Sequence, residues 1–268
     1  MNLSDARVLL TGASGGIGNE LVEGLCAGGA RLLLAGRRVD ALFALVKRFP
    51  GQVSVVQADL RLREGRDAVE AAVDRLGGVN CLVNAAGVNQ FAMLEQQDEE
   101  AIADLLAMNV TATMQLTRRM LPWLRRAPEA LVVNVGSTFG SIGYPGFAAY
   151  CASKFAVRGF SEALRRELAD SRIKVLYVAP RATRTAMNAA PVVAMNDELK
   201  VAMDPPHEVA AQIVRAIVRG REELYLGWPE KLFVKLNGLL PRLVDQALRK
   251  QLPTIQRFAR HDLPKESA

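Results

Sequence analysis

Residues 7–18 read RVLLTGASGGIG, and this stretch decides the fold. Residues 7–10 predict a short buried strand, and residues 19–26 place apolar side chains at helical spacing. A glycine-rich turn between strand and helix is the setting of a dinucleotide site, because the turn and the helix N-terminus bind a pyrophosphate. The same arrangement also occurs in turns that bind no ligand. We predict that the turn contacts the cofactor through Gly12, Ser14, Gly15, Gly16, Ile17 and Gly18.

The second predicted strand, residues 31–35, favours one form of that cofactor. It ends in Gly36-Arg37-Arg38, where a site for NAD(H) usually has an acid that binds the ribose 2′-hydroxyl. Two guanidinium groups suit a 2′-phosphate instead, because arginine binds phosphate through paired hydrogen bonds. We therefore predict NADP(H), with Arg37 as the first contact and Arg38 as the second. Solvated surface arginines are the alternative.

Tyr150 and Lys154 are four residues apart in a stretch with helical periodicity, so their side chains should share one helix face. A tyrosine hydroxyl has an ordinary pKa of ~10. An ammonium group one turn away favours the phenolate, so we expect Lys154 to lower the pKa of Tyr150 and make it a usable general acid. Such a pair alone is also common on solvated helix faces.

With these motifs the chain resembles the short-chain dehydrogenase/reductase family from about Arg7 to Thr185. Ser137 and Tyr150 are 13 positions apart, which matches the family's interval. The features follow the family's order: the loop of residues 11–18, Asp59-Leu60, Asn84-Ala85-Ala86-Gly87, Asn109, Ser137, Tyr150 with Lys154, Pro180 and Thr185.

The resemblance implies a role for each matching residue. Ser137 would hydrogen-bond the substrate oxygen and Tyr150 would donate the proton. Lys154 would hold the nicotinamide ribose, and Asn109 would anchor a water of the proton relay. The remaining contacts implied for the cofactor are Asp59 at the adenine amino group beside Leu60, the turn Asn84, Ala85, Ala86 and Gly87 under the sheet and at the adenosine ribose, and Pro180 and Thr185 near the nicotinamide.

The chain departs from the family pattern at two positions. Ala85 replaces a frequent asparagine, which should leave nucleotide binding intact. Arg181 follows Pro180 where a glycine is usual. We expect its side chain to face solvent rather than an acidic group of the substrate, because a buried unpaired guanidinium is costly.

The 268 residues, half of them apolar, predict one α/β domain at residues 1–228: a Rossmann-like, doubly wound parallel sheet with helices on both faces. Apolar runs such as residues 131–133 do not alternate, as is typical of strands buried on both faces. Strands are predicted at residues 7–11, 31–35, 53–57, 80–83, 131–136, 173–178 and 223–226.

Residues 229–268 predict a basic, amphipathic, helical C-terminal extension. Between Pro229 and Arg260, seven basic residues and two acids give +5 of the chain's net charge of +6. Helix breaks are expected near Pro241 and Pro253. The apolar face could lie on anionic lipid, cover the substrate cleft or pack on another subunit. Nucleic acid is not expected as a partner, since the apolar residues there are mostly aliphatic.

Two apolar segments follow Ser137 and Thr185, where the family binds its substrate; their large side chains are Phe139, Ile142, Tyr144, Phe147, Met187, Met195 and Met203. They favour a hydrophobic ketone, aldehyde, sterol-like or acyl substrate, although ordinary core packing would use the same residues. Residues 182–206 predict a mobile lid. The predicted activity is NADPH-dependent reduction of a carbonyl or oxidation of an alcohol. The alternative is a non-catalytic NADP(H)-binding sensor or scaffold.

Cysteine usage and the N-terminal sequence bear on location. Cys26, Cys81 and Cys151 are odd in number and share no metal-ligand spacing, which predicts reduced thiols and a cytoplasmic protein. His207 and His261 lie apart, so no metal site is predicted. Residues 1–5 lack the features of a secretory signal, and membrane contact is expected only at the surface, through the C-terminal segment. The resemblance implies a homodimer or homotetramer.

Overall fold

Seven short strands form one parallel sheet in the computed structural model, which describes residues 1–260. The sheet has the order β3-β2-β1-β4-β5-β6-β7. The order reverses beside β1, so the carboxyl ends of β1 and β4 flank the crevice in which such folds bind ligands. The strands are β1 Arg7–Thr11, β2 Arg31–Gly36, β3 Val53–Gln57, β4 Cys81–Asn84, β5 Ala130–Val135, β6 Ile173–Ala179 and β7 Glu223–Tyr225.

Helices cover both faces of the sheet. One layer contains α1, α2 and α8, and the other contains α3, α5 and α6. Successive residues of a strand point to opposite faces, so Leu10 packs in the first layer and Leu9 in the second. The helices are α1 Gly16–Ala27, α2 Val39–Arg48, α3 Arg63–Arg75, α4 Glu99–Leu106, α5 Ala112–Arg126, α6 Ala148–Glu167, α7 Ala190–Glu198, α8 Pro206–Val218, α9 Glu230–Leu239 and α10 Pro241–Ala259.

The predicted Rossmann-like fold is therefore confirmed, and β1 and β3 begin and end at the predicted residues. The other strands differ by one residue at one or both ends. Strands buried on both faces are predictable because a long apolar run satisfies both helical layers at once.

The predicted helix break at Pro253 is wrong, whereas the break near Pro241 is confirmed. Pro241 begins α10 directly after α9, but Pro253 lies within α10. Proline at the first position of a helix costs no hydrogen bond, and an internal proline removes one. Pro253 is exposed, so water can replace the missing donor there.

The helix α10 packs back over the catalytic part of the fold. Its Ile255 and Ala259 join a buried cluster with Phe91, Phe147 and Cys151. At the same side Tyr144 donates a hydrogen bond to Gln251 Oε1 at 3.1 Å. The C-terminal segment thus packs against residues 91–151 of its own chain. Among residues 1–260, no helix has the length and apolar character needed to span a bilayer.

Candidate active site

The glycine-rich turn joins β1 to α1 and forms a cradle for an anion. Gly15 caps α1 without any side-chain hydrogen bond, which leaves the first amides of the helix directed at the cavity. Gly12 has φ +76°, a conformation that suits glycine. A Cβ on Gly16 would lie 2.5 Å from Thr185 Cγ2, so glycine is required for this close approach. The residues therefore fit a dinucleotide pyrophosphate.

Thr11 fixes the neighbouring turn and was missed by reasoning from the sequence. Its Oγ1 accepts hydrogen bonds from the amides of Ala85 at 3.1 Å and Ala86 at 3.0 Å. The turn that follows β4 is thereby joined to the end of β1. Ala85, Ala86 and Gly87 line the cavity, as the resemblance implied.

The end of β2 presents the two arginines expected at a 2′-phosphate. Arg38 Nη2 donates to Ser14 Oγ at 3.2 Å, and Arg37 is about half exposed at the cavity edge. Asp59 lies 4.0 Å from Arg37 but is held more closely by Arg61, at 2.8 Å. The hydrogen bond from Arg61 holds the pKa of Asp59 below its usual range. Leu60 lines the cavity, whereas the Asp59 carboxylate is engaged by Arg61.

Ser137, Tyr150 and Lys154 line one cavity with the glycine-rich turn. Ser137 follows β5, and its Oγ accepts a hydrogen bond from the amide of Phe139 at 3.1 Å. Lys154 Nζ donates to the carbonyl of Val135 at 3.0 Å and lies 5.6 Å from the centre of the Tyr150 ring. Both helix residues face the same cavity, as their spacing predicted.

The expected lowering of the Tyr150 pKa is not found. Burial raises the pKa of Tyr150 to about 12, although a hydrogen bond with Ser137 opposes this rise. Burial also lowers the pKa of Lys154 to about 8. Lys154 is not among the causes of the Tyr150 shift, so the influence that we expected from their spacing is absent from this pKa. The tyrosine is therefore held protonated at neutral pH.

Tyr177 positions Ser137 and was missed from the sequence. Its hydroxyl donates to the carbonyl of Ser137 at 3.2 Å. A Cβ on Gly136 would lie 2.4 Å from the Tyr177 ring, so the backbone before Ser137 lies directly on that ring. No local signal marked Tyr177, because it lies 40 residues away on β6.

Asn109 lies behind the cavity in a π-helical turn between α4 and α5. Its Nδ2 donates to the carbonyl of Val88 at 2.9 Å and to Ser153 Oγ at 3.0 Å. Its Oδ1 accepts from the amide of Val88 at 2.8 Å. The side chain therefore connects the turn after β4 to the helix that carries Tyr150 and Lys154.

Asn84 is buried under the sheet and does not line the cavity. Its Nδ2 donates to Asn134 Oδ1 at 2.8 Å and to Thr117 Oγ1 at 3.0 Å. Asn134 in turn donates to Ser161 Oγ at 2.9 Å. This buried network ties β4 and β5 to α5 and α6, in keeping with the supporting role that the resemblance implied for Asn84.

The cavity continues from the nucleotide cradle into an apolar chamber, with a total volume of about 1100 Å³. The rings of Phe139 and Tyr144 stack at 5.0 Å, and Phe139 meets Tyr150 edge to face at 6.4 Å. Polar Asn89, missed from the sequence, lies beside them. Residues 187–195 and the C-terminal helices also contribute apolar side chains to the lining: Met187, Val192, Met195, Phe233, Leu236, Leu243, Val244, Ala247 and Leu248. Pro180 and Thr185 line the cavity between the two parts.

The expectation that Arg181 faces solvent is wrong. Its Nη2 lies 2.6 Å from Asp204 Oδ1 and its Nη1 lies 3.1 Å from Glu230 Oε2. Nη1 also donates to the carbonyl of Trp228 at 3.2 Å. The side chain is 16% exposed and its charge is balanced by two acids, which removes the cost of burial that motivated the expectation.

Within residues 1–260, no three His, Cys, Asp or Glu side chains gather as metal ligands would. His261, considered with His207 in the sequence, lies outside the described residues.

Comparison with known proteins agrees with this geometry. The family model for short chain dehydrogenases matches residues 6–194. The 3-oxoacyl-[acyl-carrier-protein] reductase FabG of Vibrio cholerae serotype O1 is 30% identical over 236 residues, which cover 84% of this chain and 94% of the reductase.

Two solved structures share the fold at lower identity. A short chain dehydrogenase/reductase from Burkholderia phymatum in complex with NAD has a TM-score of 0.82 and 21% identity, covering 91% of this chain and 96% of its own. A short chain dehydrogenase from Burkholderia cenocepacia in complex with NADP has a TM-score of 0.80 and 24% identity, covering 92% of this chain and 99% of its own. Because the family model spans most of the chain, this protein belongs to the short chain dehydrogenase/reductase family and is an oxidoreductase.

Proposed function

We propose that the protein is an NADPH-dependent carbonyl reductase, reversible in principle, that acts on a hydrophobic ketone or aldehyde. One observation carries the proposal: Ser137, Tyr150 and Lys154 converge on a cavity that runs from the phosphate cradle to an apolar chamber. A sensor that only bound the nucleotide would not need this set of polar groups beside the chamber, so we place it second.

The chain's own residues suit a proton transfer to a carbonyl oxygen. The Tyr150 phenol is protonated at neutral pH already at its ordinary pKa of ~10, and burial raises that pKa further, so in the reductive direction the group is in its donor form. Ser137 Oγ lies beside Tyr150 and would orient the same substrate oxygen. Lys154 uses one N–H for the carbonyl of Val135 and keeps two for the cofactor ribose. The bound nicotinamide would supply the hydride.

Asn109 supports this site by position. In addition to the water-binding role that the resemblance implied, its side chain contacts Val88 and Ser153. We propose that it fixes the distance between the turn after β4 and α6. Removing it would take one hydrogen-bond partner from the half-buried Val88 carbonyl and one from the Ser153 hydroxyl, which keeps its bond to the carbonyl of Tyr150.

Three features support NADPH over NADH. No acid follows β2, Arg37 and Arg38 stand at the place of a 2′-phosphate, and Ser14 joins them through its contact with Arg38. Asp59 pairs with Arg61 at 2.8 Å and lies 4.0 Å from Arg37. The positive charge of Arg37 is therefore only weakly balanced by Asp59.

The apolar chamber supports a hydrophobic substrate. Aromatic and aliphatic side chains dominate its walls. The polar side chains of Tyr144 and Gln251 form a hydrogen bond with each other. An apolar molecule displaces water from such walls at a gain of roughly 25 cal/mol per Å² buried.

We propose a cytoplasmic location and a homodimer or homotetramer. All three cysteines are free and buried, which suits a reducing compartment. Leu106 and Met114 are exposed on α4 and α5, and Phe155 is exposed on α6, the helix that carries Tyr150 and Lys154; these apolar side chains could be buried in a subunit contact.

The decisive experiment compares Tyr150→Phe with Tyr144→Phe, because both tyrosines line the cavity. We expect Tyr150→Phe to reduce turnover of hydrophobic aldehydes and ketones by roughly 1000-fold or more, with the Kd for NADPH changed by less than about threefold. Tyr144→Phe removes only the bond to Gln251 and should retain most turnover. Comparable turnover in Tyr150→Phe and the unmodified protein would refute the proposal.

A further inference from the structure

Six large apolar side chains are exposed together between β7 and the first turn of α10. The segment from Trp228 to Leu243, which contains α9 and the start of α10, is called the hairpin. Its six exposed side chains form the hairpin patch: Trp228, Leu232, Phe233, Leu239, Leu240 and Leu243. Trp228 is 71% exposed and Leu239 is 80% exposed. The helix α9 has no fully buried residue. Single exposed apolar residues are ordinary on a protein surface, but six large ones between Trp228 and Leu243 favour a contact surface.

Cations surround the hairpin patch. Lys231, Lys235 and Arg242 are exposed, and none of the three forms a side-chain ion pair or hydrogen bond with residues 1–260. The acid in this stretch, Glu230, is turned inward to Arg181 at 3.1 Å. The outer surface of the hairpin therefore combines apolar side chains with uncompensated positive charge.

The inner side of the same hairpin is fixed to the protein. Asn237 Nδ2 donates to the carbonyl of Ser141 at 2.9 Å, and Arg181 binds the carbonyl of Trp228. Phe233 and Leu243 belong to the hairpin patch and also line the cavity. The patch consequently lies at the mouth of the apolar chamber.

We propose that the hairpin patch docks the protein on an anionic lipid bilayer. The apolar side chains would enter the headgroup region, and each of the three cations would strengthen binding roughly fivefold near an anionic surface. A second copy of the chain fits less well, because a symmetric contact would bring Lys231, Lys235 and Arg242 close to the same cations of the partner. The docking stands by itself; passage of a lipid-dissolved substrate through the mouth rests on the proposed function.

The test uses the full chain and two kinds of vesicle, phosphatidylcholine alone and phosphatidylcholine with about one-third phosphatidylglycerol. We expect co-sedimentation with the anionic vesicles and weakening by added salt. Equal pelleting with both kinds, or pelleting with neither, would overturn the proposal.

Two variants separate the apolar and charged parts. Leu239→Asp with Leu240→Asp should weaken vesicle binding at least about tenfold. Lys231→Gln, Lys235→Gln and Arg242→Gln together should weaken it roughly 100-fold. The matched control is Leu62→Asp with Leu76→Asp, which changes two exposed leucines flanking α3 and should bind as the unmodified chain does. An equal loss in this control would count against the patch. NADPH binding, measured on each variant, checks that the nucleotide site is still folded.

Trp228 provides a direct readout. The chain has two tryptophans, and Trp123 packs against Gly78 in another part of the fold. Brominated lipid in the anionic vesicles should quench the fluorescence of Trp228, and Trp228→Phe should lose that quenching. Light scattering without lipid tests the other occupant: a dimer that disappears in Leu239→Asp with Leu240→Asp would overturn the proposal in favour of self-association.

Discussion

The phosphate cradle and the substrate chamber share one cavity but are built from contacts of different range. The cradle depends on backbone conformation within residues 11–18 and on close approaches such as that of Gly18 to the carbonyl of Gly12. The chamber depends on side chains that meet from distant parts of the chain, such as Tyr144 with Gln251, 107 residues apart. The comparison teaches that local patterns report on the first kind of site and say little about the second.

The largest effect is expected where the cradle is tightest. A Cβ on Gly18 would lie 2.1 Å from the carbonyl oxygen of Gly12, so Gly18→Ala must displace backbone. We expect the free energy of unfolding to fall by about 3 kcal/mol and NADPH to bind more than about tenfold more weakly. Gly159→Ala, on α6, meets no atom within 4 Å and should be neutral or slightly stabilising in the same denaturant titration. An equal free energy of unfolding in the two variants would contradict the inference that the close approach of Gly18 to Gly12 holds the cradle together.

The chamber side should depend on the long-range contacts of Arg181. Arg181→Met keeps an apolar stem but leaves Asp204 and Glu230 without their cation. We expect a loss of about 2 kcal/mol in the free energy of unfolding and faster proteolysis near residues 227–240. NADPH affinity should change little.

Arg165 is the control for this variant, since it also contacts two acids, Glu222 and Glu223, but these are more exposed. Arg165→Met should cost less than about 1 kcal/mol. A smaller loss for Arg181→Met than for Arg165→Met would show that the contacts of Arg181 do not hold the hairpin.

A third effect concerns cofactor choice at the edge of the cradle. Arg37→Ala should weaken NADPH about tenfold and leave NADH nearly unchanged, because only NADPH carries the phosphate. Arg31→Ala, at the other end of the same strand, is the matched control and should change neither Kd. The measurement is fluorescence titration with both cofactors. A parallel loss of NADH affinity would place Arg37 outside the phosphate site.

The smallest effect is a pH dependence at the junction of the two regions. Burial lowers the pKa of Lys154 to about 8, so between that value and the ordinary ~10.4 the unfolded chain binds more protons than the folded one. Stability from this group therefore rises with pH through that window. Relative to Lys154→Met, the unmodified protein should gain about 1 kcal/mol between about pH 7.5 and about pH 9. No pH-dependent difference between the two proteins would contradict the burial of the amine.

The sequence was sufficient for the fold, for the glycine-rich turn and for the shared face of Tyr150 and Lys154, because strand periodicity, glycine spacing and helical spacing are local signals. It was insufficient where a partner decides the state of a side chain. We expected burial of Arg181 to be costly, but Asp204 and Glu230 balance its charge in the structure. The spacing of Tyr150 and Lys154 predicted a lowered pKa for Tyr150, whereas burial raises that pKa. The contacts of Asn109 with Val88 and Ser153 likewise join distant parts of the chain, so no local signal marked them.

The wall contributed by α10 lies beyond residue 194, where the match to the family model ends. Substitutions at Leu243, Ala247 or Leu248 would reshape the chamber without touching Tyr150 or the glycine-rich turn. Residues of α10 can therefore change with the substrate while the glycine-rich turn and Tyr150 stay the same. Relatives that agree throughout their shared motifs can accordingly diverge in what they accept.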